Sequence, residues 1–278
     1  MYSLKNSTSK RSEVLFGQLQ DGITQLINSE KWAEFLRFQS RFYSYSFNNV
    51  VLIFNQCPYA TKVASFTTWK KLKRIVKENE KAIWILAPIV TKVKIDGQDD
   101  EMQVRGFKYV PVFDISQTDG DEPPVVCSLL EGNSSIDKYG SLIEVARSFG
   151  FKVVNFEFDD TTNGDCSFET MTIRVKGSNS TAQKIKTLVH ELGHGLMHEF
   201  ETDRALAELE AESVAYIVCA MMEIDTSDYS FGYLGNWGTI TGDVLSSIRQ
   251  SGDKIQKCAD SIYRTLTSAD NNRRELVI

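Results

Sequence analysis

Every histidine of the chain lies within TLVHELGHGLMHEF: His190, His194 and His198. His190 and His194 stand in the pattern HExxH, with Glu191 between them. On a helix, side chains four residues apart project from one face, about 6 Å apart along the axis. Two imidazoles at that spacing can share one tetrahedral zinc ion. Glu191, one residue further on, points elsewhere as a ligand but reaches a metal-bound water, where it can act as general base.

The surrounding sequence makes this more than a chance pattern. Ile185, Leu188, Val189, Leu192 and Leu196 form one apolar stripe at helical spacing. On a wheel of about 100° per residue, His190 and His194 fall nearly opposite its centre, so they are poor candidates for core packing. Gly193 and Gly195 each cost a helix about 1 kcal/mol relative to alanine, which makes sense where something approaches closely. His198 would lie about 12 Å from His190 along a continuous helix, too far to share its metal. It is therefore assigned near the site, as a supporting residue.

A carboxylate must then complete the set. The next helical segment, ALAELEAESVAYIVCA, offers Glu208, Glu210 and Glu212. Glu208 and Glu212 share a face with Ala205, Ala211, Ala215 and Cys219, whose small side chains permit close helix packing. Glu210 points about 160–200° away from them. Glu208 is thus the expected third ligand, and Glu212, one turn on, is placed to hold a ligand histidine by its other nitrogen. One zinc per chain is expected, with a fourth position open to water. A strand edge beside the site would hold a substrate peptide, and MTIRVK is the segment chosen for it.

The elements that position these residues can be read coarsely. Residues 13–42 carry helical periodicity. TTWKKLKRIVKENEK suggests a basic helix capped by Thr67 or Thr68. KAIWILAPIVTKVKI and FKYVPVFDI form a hairpin around IDGQDD. DISQTDGDEPPVV, with Pro123 and Pro124, is the expected linker. Beyond it come a helix from Ile136 to Phe149, strands FKVVNFEF and SFETMTIRVKG, the histidine helix capped by Ser178, Asn179 or Ser180, a helix from Asp203 to Met222, and one or two amphipathic helices after Thr241. This is an α+β protein of two domains, 1–125 and 126–278. The first is a basic α+β domain, and the second is a zincin-like domain with a small antiparallel sheet and packed helices.

Charge divides along the same line. Residues 1–81 hold 13 Lys/Arg against 6 Asp/Glu, whereas residues 132–278 hold 14 against 22. In the front half, Lys62, Lys70, Lys73, Arg74 and Lys77 interleave with Trp69, and Tyr45, Asn48 and Asn49 lie just upstream. Cations for phosphates and rings for unpaired bases suit sequence-tolerant binding of single-stranded nucleic acid. Five scattered cysteines without a CxxC pair fit a reducing compartment. No apolar run is long enough to span a membrane and the N-terminus has no signal-peptide core, so a cytoplasmic location without membrane partners is expected.

Taken together, SFNNVVLIFNQCP, ASFTTWKKLKRIVKENEKAIWILAP and FKYVPVFDISQT resemble the N-terminal domain of ArdC-type antirestriction proteins and their LtrC-like relatives. TLVHELGH followed by ELEAESVAY resembles their C-terminal metallopeptidase domain, similar to the ImmA/IrrE group. The resemblance covers about residues 10–260. It implies a protein of a bacterial plasmid or conjugative element that binds single-stranded DNA with its front domain and protects incoming DNA from restriction. It matches His190 and His194 to the zinc histidines, Glu191 to the catalytic glutamate and Glu208 to the remaining ligand. YSYSFNN departs from the glycine-containing segment usual before the family's asparagine. Two alternatives stay open: a DNA-binding antirestriction factor whose metal domain cuts nothing, and an ImmA-like protease cleaving one repressor as its protein substrate.

Overall fold

A computed structural model describes residues 14, 17–26, 29–93, 101–123, 135–225 and 244–275. The hairpin turn IDGQDD, Pro124 and Cys127 lie outside them. Two compact units are present: residues 1–25 with 45–123, and residues 26–44 with 124–278.

The first unit begins with helix α1 (17–25). It lies close to α3 (Phe47–Gln56): a Cβ on Gly22 would fall 2.8 Å from Val51 Cγ1. Helix α3 is apolar along nearly its whole length, with Phe47 and Val50–Ile53 buried. Its two polar side chains facing strand β3 (Ile83–Val93) satisfy that strand's backbone. Asn49 accepts from Leu86 N–H at 2.8 Å and donates to Leu86 C=O at 2.9 Å, while Gln56 does the same for Trp84. Strand β3 pairs antiparallel with β4 (Glu101–Asp114) through a bulge at Ile89/Val90, and β1 (Val63–Ala64) adds to the other edge of β4.

The expected long basic helix is much shorter. Helix α4 runs only from Phe66 to Lys71, capped by Ser65, whose Oγ accepts from Thr68 N–H. Lys73 then takes a left-handed conformation (φ 59°), and Arg74–Val76 becomes strand β2. Its partner is β5 (Thr118–Gly120), drawn from the segment expected as linker. Arg74 explains the switch: it is buried and donates to Thr118 Oγ1 and to the carbonyls of Thr118, Gly120 and Asp121. Periodicity counted Arg74 among exposed charges, and no helical geometry reaches those acceptors.

The second unit contains α2 (Ser29–Gln39), which the sequence division at 125 put in the front domain. Trp32 and Phe35 are fully buried; Trp32 Nε1 donates to Ser213 Oγ at 3.0 Å and Arg37 Nε to Tyr216 Oη at 3.3 Å. Both acceptors lie on α7 (Arg204–Met221), capped by Asp203. The periodicity of residues 13–42 is real but cannot show that the chain changes unit within it.

Helix α5 (Ser135–Ser148) ends before Gly150, which has φ 89°. Strands β6 (Lys152–Phe156), β7 (Gly164–Ser167) and β8 (Thr172–Lys176) follow. The sheet is small but mixed, in the order β6-β8-β7: β8 pairs parallel with β6 and antiparallel with β7. TIRVK is consequently the central strand, and the sheet's edge strands are β6 and β7. Helix α6 (Thr181–Met197) is capped by Ser180, whose Oγ accepts from Gln183 N–H. Ile185, Leu188, Val189 and Leu192 of the expected stripe are fully buried, whereas Leu196 is half-buried. One long helix, α8 (Val244–Glu275), completes the unit. No helix among the described residues is long and apolar enough to cross a membrane.

Trp69 is 2% exposed and its Nε1 donates to Phe113 C=O at 2.8 Å. Trp69→Ala should therefore destabilise the first unit by about 3–5 kcal/mol, read as a lower urea midpoint. An unchanged midpoint would contradict this packing.

Candidate metal centre

Helices α6 and α7 cross where Gly193 faces Ala211. A Cβ on Gly193 would lie 3.4 Å from Ala211 Cα, so the missing side chain lets the helices approach closely. The approach carries Glu208 and Glu212 to the histidines. His190 Nε2 is 3.1 Å from His194 Nε2, Glu208 Oε2 is 3.3 Å from the first, and Glu208 Oε1 is 3.4 Å from the second. Donors bound about 2.0–2.2 Å from one tetrahedral centre are separated by about 3.3–3.6 Å. The three groups thus fit a single divalent ion, and they form a potential ligand set among the described residues.

The hydrogen-bond pattern leaves the right atoms free. His190 Nδ1 lies 3.1 Å from Glu212 Oε2; the carboxylate accepts, so the neutral ring donates through Nδ1 and its Nε2 carries the lone pair. Glu212 is held in turn by Lys186 Nζ at 3.1 Å from Oε1. Helix α6 stops at Met197. His198, its C-cap with non-helical backbone, brings Nδ1 to 3.0 Å from His194 Nδ1. His198 thus lies against His194, near the site as expected.

Glu210 is the participant that the sequence reading left out. It is 1% exposed, and its Oε2 accepts from both His198 Nε2 and Lys254 Nζ at 2.9 Å. The signal for it lay in α7 itself: Leu209, Val214, Ile217 and Val218 span about half of the helical wheel, and Glu210 falls inside that apolar arc. A carboxylate in such an arc must be buried, and a buried carboxylate needs partners.

Glu191 is buried and borders two cavities. One, of about 240 Å³, lies toward Gly164, Lys186 and Thr187; the other, of about 580 Å³, is bordered by Cys166, His194, Arg204 and Glu208. Burial raises the Glu191 carboxyl above its ordinary range, against the pull of His190 and His194. Burial also pushes the Cys166 thiol up to about 12, so it remains protonated and a weak nucleophile. Strand β7 packs tightly on the histidine helix. A Cβ on Gly164 would fall 2.4 Å from Thr187 Cγ2 and 3.2 Å from Glu191 Cγ. Arg174 on β8 holds Asp165 of β7 through two donor nitrogens, its guanidinium 4.6 Å from the Phe156 ring centroid.

The front-half candidates separate by burial. Asn49, Trp69 and Arg74 are committed to the hydrogen bonds given above and present no free edge or face to a nucleic acid. Tyr45 is half-buried, with its hydroxyl donating to Val63 C=O, and Asn48 is half-buried as well. Lys62, Lys70, Lys73 and Lys77 are exposed, although Lys77 Nζ donates to Ser116 C=O at 3.0 Å. Among the described residues of this unit, Tyr59, Phe66 and Phe107 are the exposed large rings.

Residues 12–113 match the family described as the N-terminal domain of anti-restriction factor ArdC, and residues 146–223 match the IrrE N-terminal-like domain, Peptidase M78. The chain is an ArdC-like protein. Two crystal structures of the antirestriction ArdC protein from plasmid R388 share the fold. The Mn(II)-bound form has a TM-score of 0.58 at 20% identity, covering 89% of this chain and 97% of that one. The metal-free form has a TM-score of 0.54 at 20% identity, covering 81% and 86%. A Bacillus anthracis protein, described as uncharacterized, is 24% identical over 94% of the chain. The ArdC-like chain spans about half (52%) of that relative's length.

Without metal, the ligand pocket favours a proton. Burial opposes the His190 imidazolium, but Glu208 and Glu212 outweigh it and raise the group to about 9; the same imidazoles hold Glu208 well below the usual carboxylate range. A metal must displace that proton, because only the neutral ring can ligate. The apparent affinity for a divalent metal should therefore rise about tenfold per pH unit from 7 and level off near 9. Competition titrations across that range check it, and an affinity flat from pH 7 to 9 would contradict it.

Proposed function

We propose that this ArdC-like protein binds single-stranded DNA through its front domain and carries a zinc-dependent peptidase site at His190, His194 and Glu208, serving to protect incoming DNA from restriction. The observation that carries the reading is the donor triangle of two Nε2 atoms and one carboxylate, with the buried Glu191 beside it, in a domain of the M78 peptidase family. Two nitrogens and one carboxylate oxygen form a typical three-ligand set for catalytic zinc. When bound, zinc supplies a Lewis acid that polarises a carbonyl and acidifies water.

The chain's own residues do the rest. Glu191 takes the proton of the attacking water and returns it to the departing amine. Its raised pKa brings it nearer the working pH for both transfers. The substrate backbone adds to the free edge of β7, where Gly164 keeps the strand close to α6. Glu212 and Lys186 hold the His190 ring while this happens.

For DNA, the burial of Trp69 and Arg74 favours exposed side chains as the contacts. Lys62, Lys70, Lys73 and Lys77 supply charge, while Tyr59 and Phe66 supply rings for stacking.

Three measurements test the reading. Zinc content should be near one per chain in the wild type and fall on substituting alanine for both His190 and Glu208; undiminished zinc would remove the metal site. Cleavage of candidate regulator proteins should be abolished in Glu191→Ala with zinc retained, and equal cleavage would exclude Glu191 as the base. Affinity for a single-stranded oligonucleotide should fall steeply with salt and drop further in Lys70→Glu with Lys73→Glu. A salt-insensitive affinity would exclude phosphate contacts.

A further inference from the structure

Both imidazoles of the metal site are gripped from behind, but differently. His190 rests directly on a carboxylate, Glu212. His194 rests on another histidine, which itself rests on a carboxylate: the chain runs His194 Nδ1, His198 Nδ1, His198 Nε2, Glu210 Oε2. Its inner members are enclosed, with the His198 side chain 3% and the Glu210 side chain 1% exposed. Glu210 also takes a hydrogen bond from Lys254 at 2.9 Å and one from Ser251, both on α8.

We propose that Glu210 and His198 are positioning residues that fix the tautomer of His194, keeping its Nε2 lone pair turned toward the metal position. The inference rests on the metal-site reading given above.

The direction of each hydrogen bond follows from the end of the chain. A carboxylate accepts, so His198 must donate through Nε2. In its neutral form His198 spends its one N–H on Glu210, which Lys254 Nζ also contacts. Its Nδ1 is then an acceptor, and the only hydrogen it can take is the one on His194 Nδ1. His194 Nε2 is left bare, 3.1 Å from His190 Nε2 and 3.4 Å from Glu208. The opposite arrangement, with His198 donating to His194, places a hydrogen on His194 Nε2 in the middle of the donor triangle. Partners of this kind typically change metal affinity by 10- to 100-fold.

The test uses the full chain, with zinc affinity measured by competition against a chromophoric chelator. His198→Leu removes the acceptor and should weaken binding on the order of 10- to 100-fold. His198→Asn returns an acceptor oxygen near the position of Nδ1 and should recover most of the affinity, although it cannot span to Glu210. A role in packing alone would move both variants alike. Because the chain has three histidines, nitrogen-15 spectra of histidine-labelled, zinc-loaded protein resolve every ring. The expected result is two rings protonated on Nδ1 and one, His198, on Nε2. If His198→Leu does not fold, the spectrum and His198→Asn still decide. A His198 ring protonated on Nδ1, or Leu and Asn variants with equal affinities, overturns the relay while wild-type zinc binding stands. A wild type that takes up no zinc overturns the metal reading, and the relay with it.

Discussion

The Nε2 atoms of His190 and His194 lie 3.1 Å apart where α6 crosses α7, and much of the second unit's packing converges on that pair. An isolated HExxH helix supplies the spacing but leaves each ring free to rotate and to carry its hydrogen on either nitrogen. The rings are locked because α7 passes within van der Waals contact of α6 at Gly193 and Ala211. That approach brings Glu208 to the front of the rings and Glu212 and Glu210 behind them. A methyl group at residue 193 would have to be accommodated at 3.4 Å from the α7 backbone. The glycine therefore has a geometric role that outweighs its cost to helix stability.

The carboxylates divide by environment rather than by sequence distance. Glu208, Glu210 and Glu212 fall within five residues, yet one faces a cavity, one is sealed against α8, and one is clasped by Lys186. Hydrogen bonds from His190 and His194 hold Glu208 ionised, and His190 and Lys186 do so for Glu212 against its burial. Glu191 has no direct hydrogen-bonded cation of this kind, and burial dominates, so its carboxyl shifts the opposite way. One helix turn and its neighbour thus provide both permanently charged groups and a group that can exchange a proton.

The site was far more legible in the sequence than the front domain. Metal chemistry requires particular residue types at particular helical spacings, and a wheel can test both, which is why Glu208 and Glu212 could be separated from Glu210. The wheel gave Glu210 a direction, away from Glu208 and Glu212, but no partner there; His198 and Lys254 of α8 fill that place. In the front domain, Trp69, Arg74 and Asn49 were judged by type alone. Each can bind nucleic acid or satisfy buried backbone, and only tertiary partners such as Phe113 and Thr118 decide which. The antiparallel expectation for the rear sheet failed for a related reason. Short alternating strands show which face is buried but not the direction of their neighbour, and β6 reaches β8 only after β7 has intervened in sequence.

Domain boundaries show the same gap between local pattern and tertiary commitment. The chain passes from one unit to the other near residues 25, 44 and 123, not once. The α2 segment carries fully buried Trp32, Phe35 and Leu36 and directs Trp32 and Arg37 onto α7, the helix that also presents Glu208. A chain divided only at the proline pair would separate α7 from the helix whose Trp32 and Arg37 bond to it. Ser213, one residue beyond Glu212, would lose its partner Trp32 and remain as a buried hydroxyl. Helix α2 is therefore part of what holds α7 in place beside α6, although it lies over 140 residues upstream of the histidines in sequence.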